Sequence, residues 1–342
     1  MKKGIVKLLV LLLITMLVFT GCSANDTPSK EEGTVTNGSQ SSEQNVPEEV
    51  VFDIGISQLA DHPALDDARR GFEDGLKELG VNANIHYQNS QGDIPTSLTI
   101  AEKFVKDKVD LIYAIATPAA QSAKQATSDI PIIFSAVTDP VDAELVDSME
   151  SPGGNVTGTS DLTPMDRQLQ LFKDLDSNIK KVGIVFNTSE PNSQIQVDMA
   201  KELAPSIDLE IVEVGISNIN DIPQALDSIM KKVDAIYTIT DNMVASAINV
   251  VSEKAIANKM ITVGAEDSHV KDGILVTDGL SYYELGRQSA AMAKEILVDG
   301  KSPANIPSAT SENTKKAFNG ETLKVLELDE NNPALQGAEK VQ

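Results

Sequence analysis

The chain has 342 residues but only one cysteine, three histidines and no tryptophan, and aromatic residues make up 4% of it. A single cysteine excludes an intramolecular disulfide and any CxxC metal site. His62, His86 and His269 are scattered, without HExxH-type spacing. There is no GxSxG nucleophile elbow, no P-loop, no GxGxxG and no EF-hand spacing; Gly153-Gly154 after Pro152 reads as a turn. No metal or cofactor is therefore expected. Basic residues are scarce as well: 28 Lys and Arg stand against 51 Asp and Glu, a formal net charge of −23. That balance argues against nucleic acid and against an anionic membrane surface as partners. In so acidic a chain, pairs such as Asp66-Asp67 and Glu266-Asp267 belong by default on solvated faces, so no catalytic couple stands out. Without a nucleophile–base pair, the chain does not read as an enzyme.

What is present begins at the N-terminus. Lys2, Lys3 and Lys7 precede an apolar stretch from Leu8 to Phe19 that is too short for a comfortable membrane span. It runs into Phe19-Thr20-Gly21-Cys22, which resembles a lipobox, with Cys22 in the lipidated position. Residues 1–21 thus read as a lipoprotein signal peptide, and a diacylglyceryl group on Cys22 would hold the chain at the outer face of a cell membrane, of Gram-positive type. Residues 22–49 are rich in Ser, Thr, Asn, Gly, Pro and Glu; they cannot bury enough apolar surface to offset their ordering entropy and read as a flexible tether.

From residue 50 strand and helix patterns alternate. Strands are expected over 51–57, 84–88, 111–116, 131–134 and 156–159, with helices over 64–79, 95–106 and 118–126 and a short one after Asp139-Pro140. A helix over 165–175 opens a second series, with strands over 182–186, 209–214, 235–239, 261–263 and 274–277. A helix over 282–298 returns to the first lobe, and 318–328 reads as a closing strand region. Such βα alternation implies parallel sheets covered on both faces. Tyr113, Phe134, Phe186 and Tyr237 lie at strand ends, where core packing is the simplest role.

The two series are copies. Val-Asp-Leu-Ile-Tyr-Ala-Ile-Ala-Thr-Pro-Ala-Ala-Gln-Ser-Ala at 109–123 is echoed by Val-Asp-Ala-Ile-Tyr-Thr-Ile-Thr-Asp-Asn-Met-Val-Ala-Ser-Ala at 233–247. Ile54-Gly55-Ile56 maps onto Val182-Gly183-Ile184, and one common offset also carries His62-Pro63 to Glu190-Pro191 and Asp93-Ile94-Pro95 to Asp221-Ile222-Pro223. The expected architecture is two similar α/β lobes, one of 50–162 plus 280–342 and one of 163–279, with hinges near 160–164 and 278–280.

Ligands of open α/β sheets bind beyond the carboxyl ends of the strands. Five turns lie there: Asp61-His62-Pro63, Ala116-Thr117-Pro118, Thr138-Asp139-Pro140, Ser189-Glu190-Pro191 and Thr240-Asp241-Asn242. Several place a capping residue and Pro at a helix start, where free N–H groups can receive an anion. The copies differ at one telling point, Thr117-Pro118 against Asp241-Asn242. A neutral turn suits a carboxylate and an acidic one an ammonium, so together they would read an amino acid. Capping of its own helix is the plainer role for Asp241.

The runs from Gln58 to Phe72, 116–121, 136–140 and 152–158, with Thr240-Asp241-Asn242, 264–268 and 282–286, resemble the ABC-transporter substrate-binding lipoproteins of the tryptophan/tyrosine type over about 50–328. The resemblance implies a type I periplasmic-binding fold of two Rossmann-like lobes joined by three crossovers. It implies a monomer that binds an amino acid, often aromatic, and delivers it to an ABC permease and its ATPase. The ligand-facing positions it implies are Gln58, His62, Leu65, Thr117, Pro118, Thr138 and Asp139 in the first lobe. In the second they are Asn187, Glu190, Asn192, Ser193, Asp241, Asn242 and Glu266. A sensory lipoprotein that presents its ligand to a receptor is the alternative, and an extracellular hydrolase a more distant one.

Overall fold

The computed structural model describes residues 50–311 and 314–342, so the signal segment, Cys22 and the tether fall outside the described residues. The first run of elements is β1 (Phe52–Gln58), α1 (Pro63–Glu78), β2 (Ala83–Asn89), α2 (Ile94–Asp107), β3 (Leu111–Ile115), α3 (Thr117–Ala126), β4 (Ile132–Val137) and β5 (Val156–Ser160). The second is α4 (Met165–Leu175), β6 (Lys181–Asn187), α5 (Pro191–Leu203), β7 (Glu210–Ile216), α6 (Ile222–Ile229), β8 (Ala235–Thr238), α7 (Asn242–Ser246), α8 (Ile248–Ala257), β9 (Ile261–Glu266), α9 (Asp267–Lys271) and β10 (Val276–Leu280). The chain closes with α10 (Tyr282–Leu297), β11 (Ala309–Thr310), β12 (Lys315–Asn319), α11 (Gly320–Val325) and β13 (Glu339–Val341).

Two sheets result, ordered β11-β5-β4-β3-β1-β2 and β13-β12-β10-β9-β8-β6-β7. Every pairing is parallel except β10 with β12. The central strands are buried on both faces and so run as unbroken apolar text, as in Leu111-Ile-Tyr-Ala-Ile115. In the first lobe Ile54, Phe72 and Leu285 pack one face under α1 and α10, while Phe104, Ile112 and Phe134 fill the other. In the second, Phe172, Ile184 and Tyr237 lie under α4 and α5, opposite Leu226, Ile236 and Val251. Each such side chain contributes about 1.5–3 kcal/mol on burial.

The ends of the chain differ from expectation. α10 packs on α1 and β11 pairs with β5, but β12 joins the second sheet beside β10, with Phe318 in the second core. Residues 315–342 therefore belong to the second lobe, so the chain changes lobe a third time between β11 and β12. The strand expected over 318–328 is instead β12 followed by α11, because Asn319 caps a helix by accepting from the Thr322 amide. The helix expected after Asp139-Pro140 is a series of turns over 140–144, held by the Asp139 carboxylate, which accepts from the Val141 and Asp142 amides.

Candidate functional site

The carboxyl ends of the two sheets meet. Two first-lobe strands end under backbone strain there: Ala116 sits at φ 86° and Ala136, at a register shift between β4 and β5, at φ 57°. Both lie in a region costly for a residue with a Cβ, and such strain clusters at functional sites. At Ala116 the positive φ lets β3 enter α3 through this single residue. Thr117 is consequently the first helical residue rather than the cap, and its hydroxyl is buried without a partner.

The corresponding turn in the second lobe is closed from within. Asn192 and Gln196 of α5 donate to the Thr240 carbonyl, and Gln196 accepts from the Thr240 amide. Asp241 caps its own helix through the Val244 amide and also accepts from the Asn187 amide at 2.6 Å and the Ser193 hydroxyl at 2.7 Å. Glu190 accepts from the Asn187 and Asn242 side chains and from the Asn242 and Met243 amides. Two carboxylates of the lobe itself thus occupy the donors that open α7. An incoming anion is left with the first lobe.

The lobes touch through His62 and Asn242, 3.2 Å apart, and through the Thr138 and Thr240 hydroxyls, 3.4 Å apart. Because the Asn242 amide nitrogen donates to Glu190, its oxygen faces His62 and must accept from Nε2–H. His62 Nδ1 is then a bare acceptor. It is one of seven buried polar atoms at these strand ends that lack a partner; the others are Ser57 Oγ, Gln58 Oε1, Thr117 Oγ1, Asp161 Oδ1, Asn192 Oδ1 and His269 Nε2. A buried polar atom without a partner costs about 1–3 kcal/mol, so a water or a ligand group belongs beside such atoms. Beside the His62–Asn242 contact, a cavity of about 330 Å³ is lined by Leu59, Ala60 and Gln91 from one lobe and Ile219, Asn242 and Met243 from the other.

The charges are lopsided. Burial, reinforced by the charge on Asp161, pushes Glu266 up to about 8, and burial next to Asp241 pushes Glu190 up to about 7. Burial also raises Asp161, against the hydrogen bond from Tyr282. The histidines move the other way: burial takes His62 down to about 4 and His269 down to about 3. Both are therefore neutral at pH 7. Among the described residues, no three His, Cys, Asp or Glu side chains are grouped to hold a metal ion.

These shifts set a pH profile for the ligand-free protein. Unfolded histidine takes up its proton near 6.5, so the histidine contribution is present above 6.5 and is lost as the pH falls toward 4 and 3. Unfolded glutamate ionises near 4.5, so the glutamate contribution is present below 4.5 and is lost as the pH rises toward 7 and 8. Between 4.5 and 6.5 the trends oppose each other. The calorimetric Tm should be nearly flat across that interval and fall on both sides; a Tm that climbs from pH 6.5 to 8 would contradict the buried state of Glu190 and Glu266.

Of the residues expected at the site, His62 and Thr138 make the interlobe contacts, Gln58, Thr117 and Asn192 each keep a buried atom without a partner, and Glu266 is buried within reach of the Asp161 charge, with Pro118 beside Thr117 at the start of α3. Asn187, Glu190 and Asn242 line the cavity. Leu65 is part of the first core and Asp139 holds its own turn. Ser193 and Asp241 are engaged with each other inside the second lobe, so the cross-cleft ammonium role expected for Asp241 is not the one the geometry gives it. Ser57, Asp161, His269 and Tyr282 were missed. Only the lobe-end position of Asp161 and Tyr282, next to hinges, was a signal.

Two α/β lobes joined by three crossovers, touching at polar strand ends beside an interlobe cavity, define a solute-binding protein. The chain belongs to the family of ABC transporter substrate binding proteins, which it matches over residues 53–342. It is a binding protein and not an enzyme, and proteins of this class serve importers from outside the cytoplasm. It is 43% identical to a tyrosine-binding protein of Clostridioides difficile over 96% of this chain and 93% of the relative. A Streptococcus pneumoniae protein in complex with L-Trp matches at 33% identity and TM-score 0.82, covering 86% of this chain and all of that one. The ligand-free, open structure of a C. difficile substrate-binding protein with adhesive properties matches at 43% identity but TM-score 0.66, covering 85% and 99%. The shape is thus nearer the tryptophan complex than the open form of a more similar sequence, in agreement with lobes that touch. Sugar- and polyol-binding proteins at 15 to 19% identity share the type I periplasmic-binding fold.

Proposed function

We propose that the chain is the lipid-anchored binding component of an ABC importer and that its ligand is an amino acid with an aromatic side chain. The observation that carries this reading is which buried polar atoms at the strand ends lack a partner. Thr117 Oγ1, Ser57 Oγ and the amides that open α3 suit a carboxylate. Asp161 Oδ1 and Glu266 are acids in low dielectric, which suit an ammonium. Leu59, Ala60, Ile219 and Met243 offer an apolar wall to a ring. The ligands named for the relatives, tyrosine and L-Trp, support the same class.

Ligand between the lobes stabilises the closed form, which the permease recognises through both lobes. Anchoring rests on Cys22 and the tether of 22–49, which leave the binding body free to reach the permease. The protein acts as a monomer. A thermal-shift screen tests the ligand class: tyrosine or tryptophan at 100 times its Kd should stabilise the protein by about 2.7 kcal/mol. A response to sugars or nucleosides but to no amino acid would sink the reading.

A further inference from the structure

Asp161 belongs to the hinge. It follows β5 at the start of the first crossover, and its amide donates to the Val137 carbonyl, which pins its main chain. Tyr282 opens α10 directly after the second crossover, with its ring in the first core. Its hydroxyl donates to Asp161 Oδ2 at 2.6 Å, while Asp161 Oδ1 is buried without a partner. Glu266 stands opposite Leu280 in the β9–β10 register, just before Tyr282 in the neighbouring strand. The Ser268 hydroxyl donates to Glu266 Oε2, and His269 Nε2 stands 3.4 Å from the same oxygen without making a hydrogen bond.

We infer that Tyr282 is a positioning residue for ammonium recognition: it fixes one oxygen of Asp161 so that the other, together with Glu266, addresses a single cationic group at the hinge. This rests on the amino-acid reading above. The remaining charged or titratable groups around the pair are Asp241 and Asp267, which act on Glu266, and His62 and His269, which are neutral. No fixed positive charge competes with the ligand among these groups. The hydroxyl also opposes the rise that burial imposes on Asp161, so its removal moves the Asp161 titration to higher pH.

Tyr282→Phe removes only that hydroxyl and keeps the ring, and its Tm will show whether the fold is retained. Titration calorimetry of wild type and variant with L-tryptophan, L-tyrosine and indole-3-propionate, across the acid and neutral range, tests the inference. The variant should bind the amino acids about tenfold more weakly and the des-amino acid within about twofold of wild type. The acid limb of its amino-acid affinity should shift to higher pH. Equal losses for both ligand types, or an unchanged pH profile, would make Tyr282 a structural residue only. A wild type indifferent to both amino acids would overturn the amino-acid reading along with this inference, whereas binding without the split would overturn this inference alone.

Discussion

Glu266→Gln should weaken aromatic amino-acid binding by about 100-fold and, at pH 8, raise the Tm of the ligand-free protein. The two effects have one cause. Glu266 is 2% exposed, accepts a hydrogen bond from the Ser268 hydroxyl, and lies within reach of the Asp161 charge. Empty, it must either hold a proton or bear an uncompensated charge in low dielectric, and both are unfavourable at pH 8. Occupied, it meets an ammonium, and deletion of one partner of such a buried pair costs about 2–5 kcal/mol, most of it in the off-rate. Glutamine keeps the shape and removes the charge. Calorimetry on the empty variant and titration with tryptophan or tyrosine would read both signs; a variant that loses stability while keeping its affinity would place Glu266 among the structural residues. Stability gained as function is lost is the pattern expected of a site built for a ligand.

Gly286→Val should lower the stability of the first lobe by about 3 kcal/mol or more. A Cβ at Gly286 would lie 2.0 Å from the Ala68 carbonyl oxygen, and one at Gly71 would lie 2.0 Å from the Tyr283 oxygen. α1 and α10 are therefore in backbone contact, which only glycine permits on either side. Neighbouring ion pairs such as Arg287 with Glu78 are exposed and do not make up such a loss. Because α10 begins at Tyr282, forcing the helices apart also displaces the hydroxyl that holds Asp161, so ligand affinity should fall together with a Tm drop on the order of 10 °C. A variant less than about 1 kcal/mol below wild type would show that the helices can separate cheaply. Gly286→Ala, smaller but facing the same oxygen, should fall between.

Much of this fold was open to direct reading because it is local. A parallel strand buried on both faces writes an apolar run such as 111–115, and a helix start writes His62-Pro63 or Asp93-Ile94-Pro95 wherever it occurs. The repeat then paired the lobes before any contact was known. The return of 315–342 to the second lobe was not open in this way. β12 carries Lys315 and Lys316 and pairs antiparallel with β10, so its place depends on a partner strand and on Phe318 finding the second core, not on its own pattern.

The site divides along the same line. By itself the sequence determined which turns stand at the cleft and that Thr117-Pro118 and Asp241-Asn242 break the symmetry, since capping chemistry is carried by neighbouring residues. Which of these side chains has a lone pair or proton left over was decided only by tertiary structure. Asn192, Ser193 and Gln196 of α5 reach back across the second lobe to the turn at Thr240 and Asp241 and satisfy it, whereas Ala64, Leu65 and Ala68 of α1 offer Thr117 no such partner. Asp161 and Tyr282, far apart in the chain, meet at the hinge because two crossovers run side by side there, and Glu266 pairs in register with Leu280 just before Tyr282. A hydrogen bond is satisfied or left open by whatever lies within about 3 Å in space, and that distance is set by packing rather than by sequence.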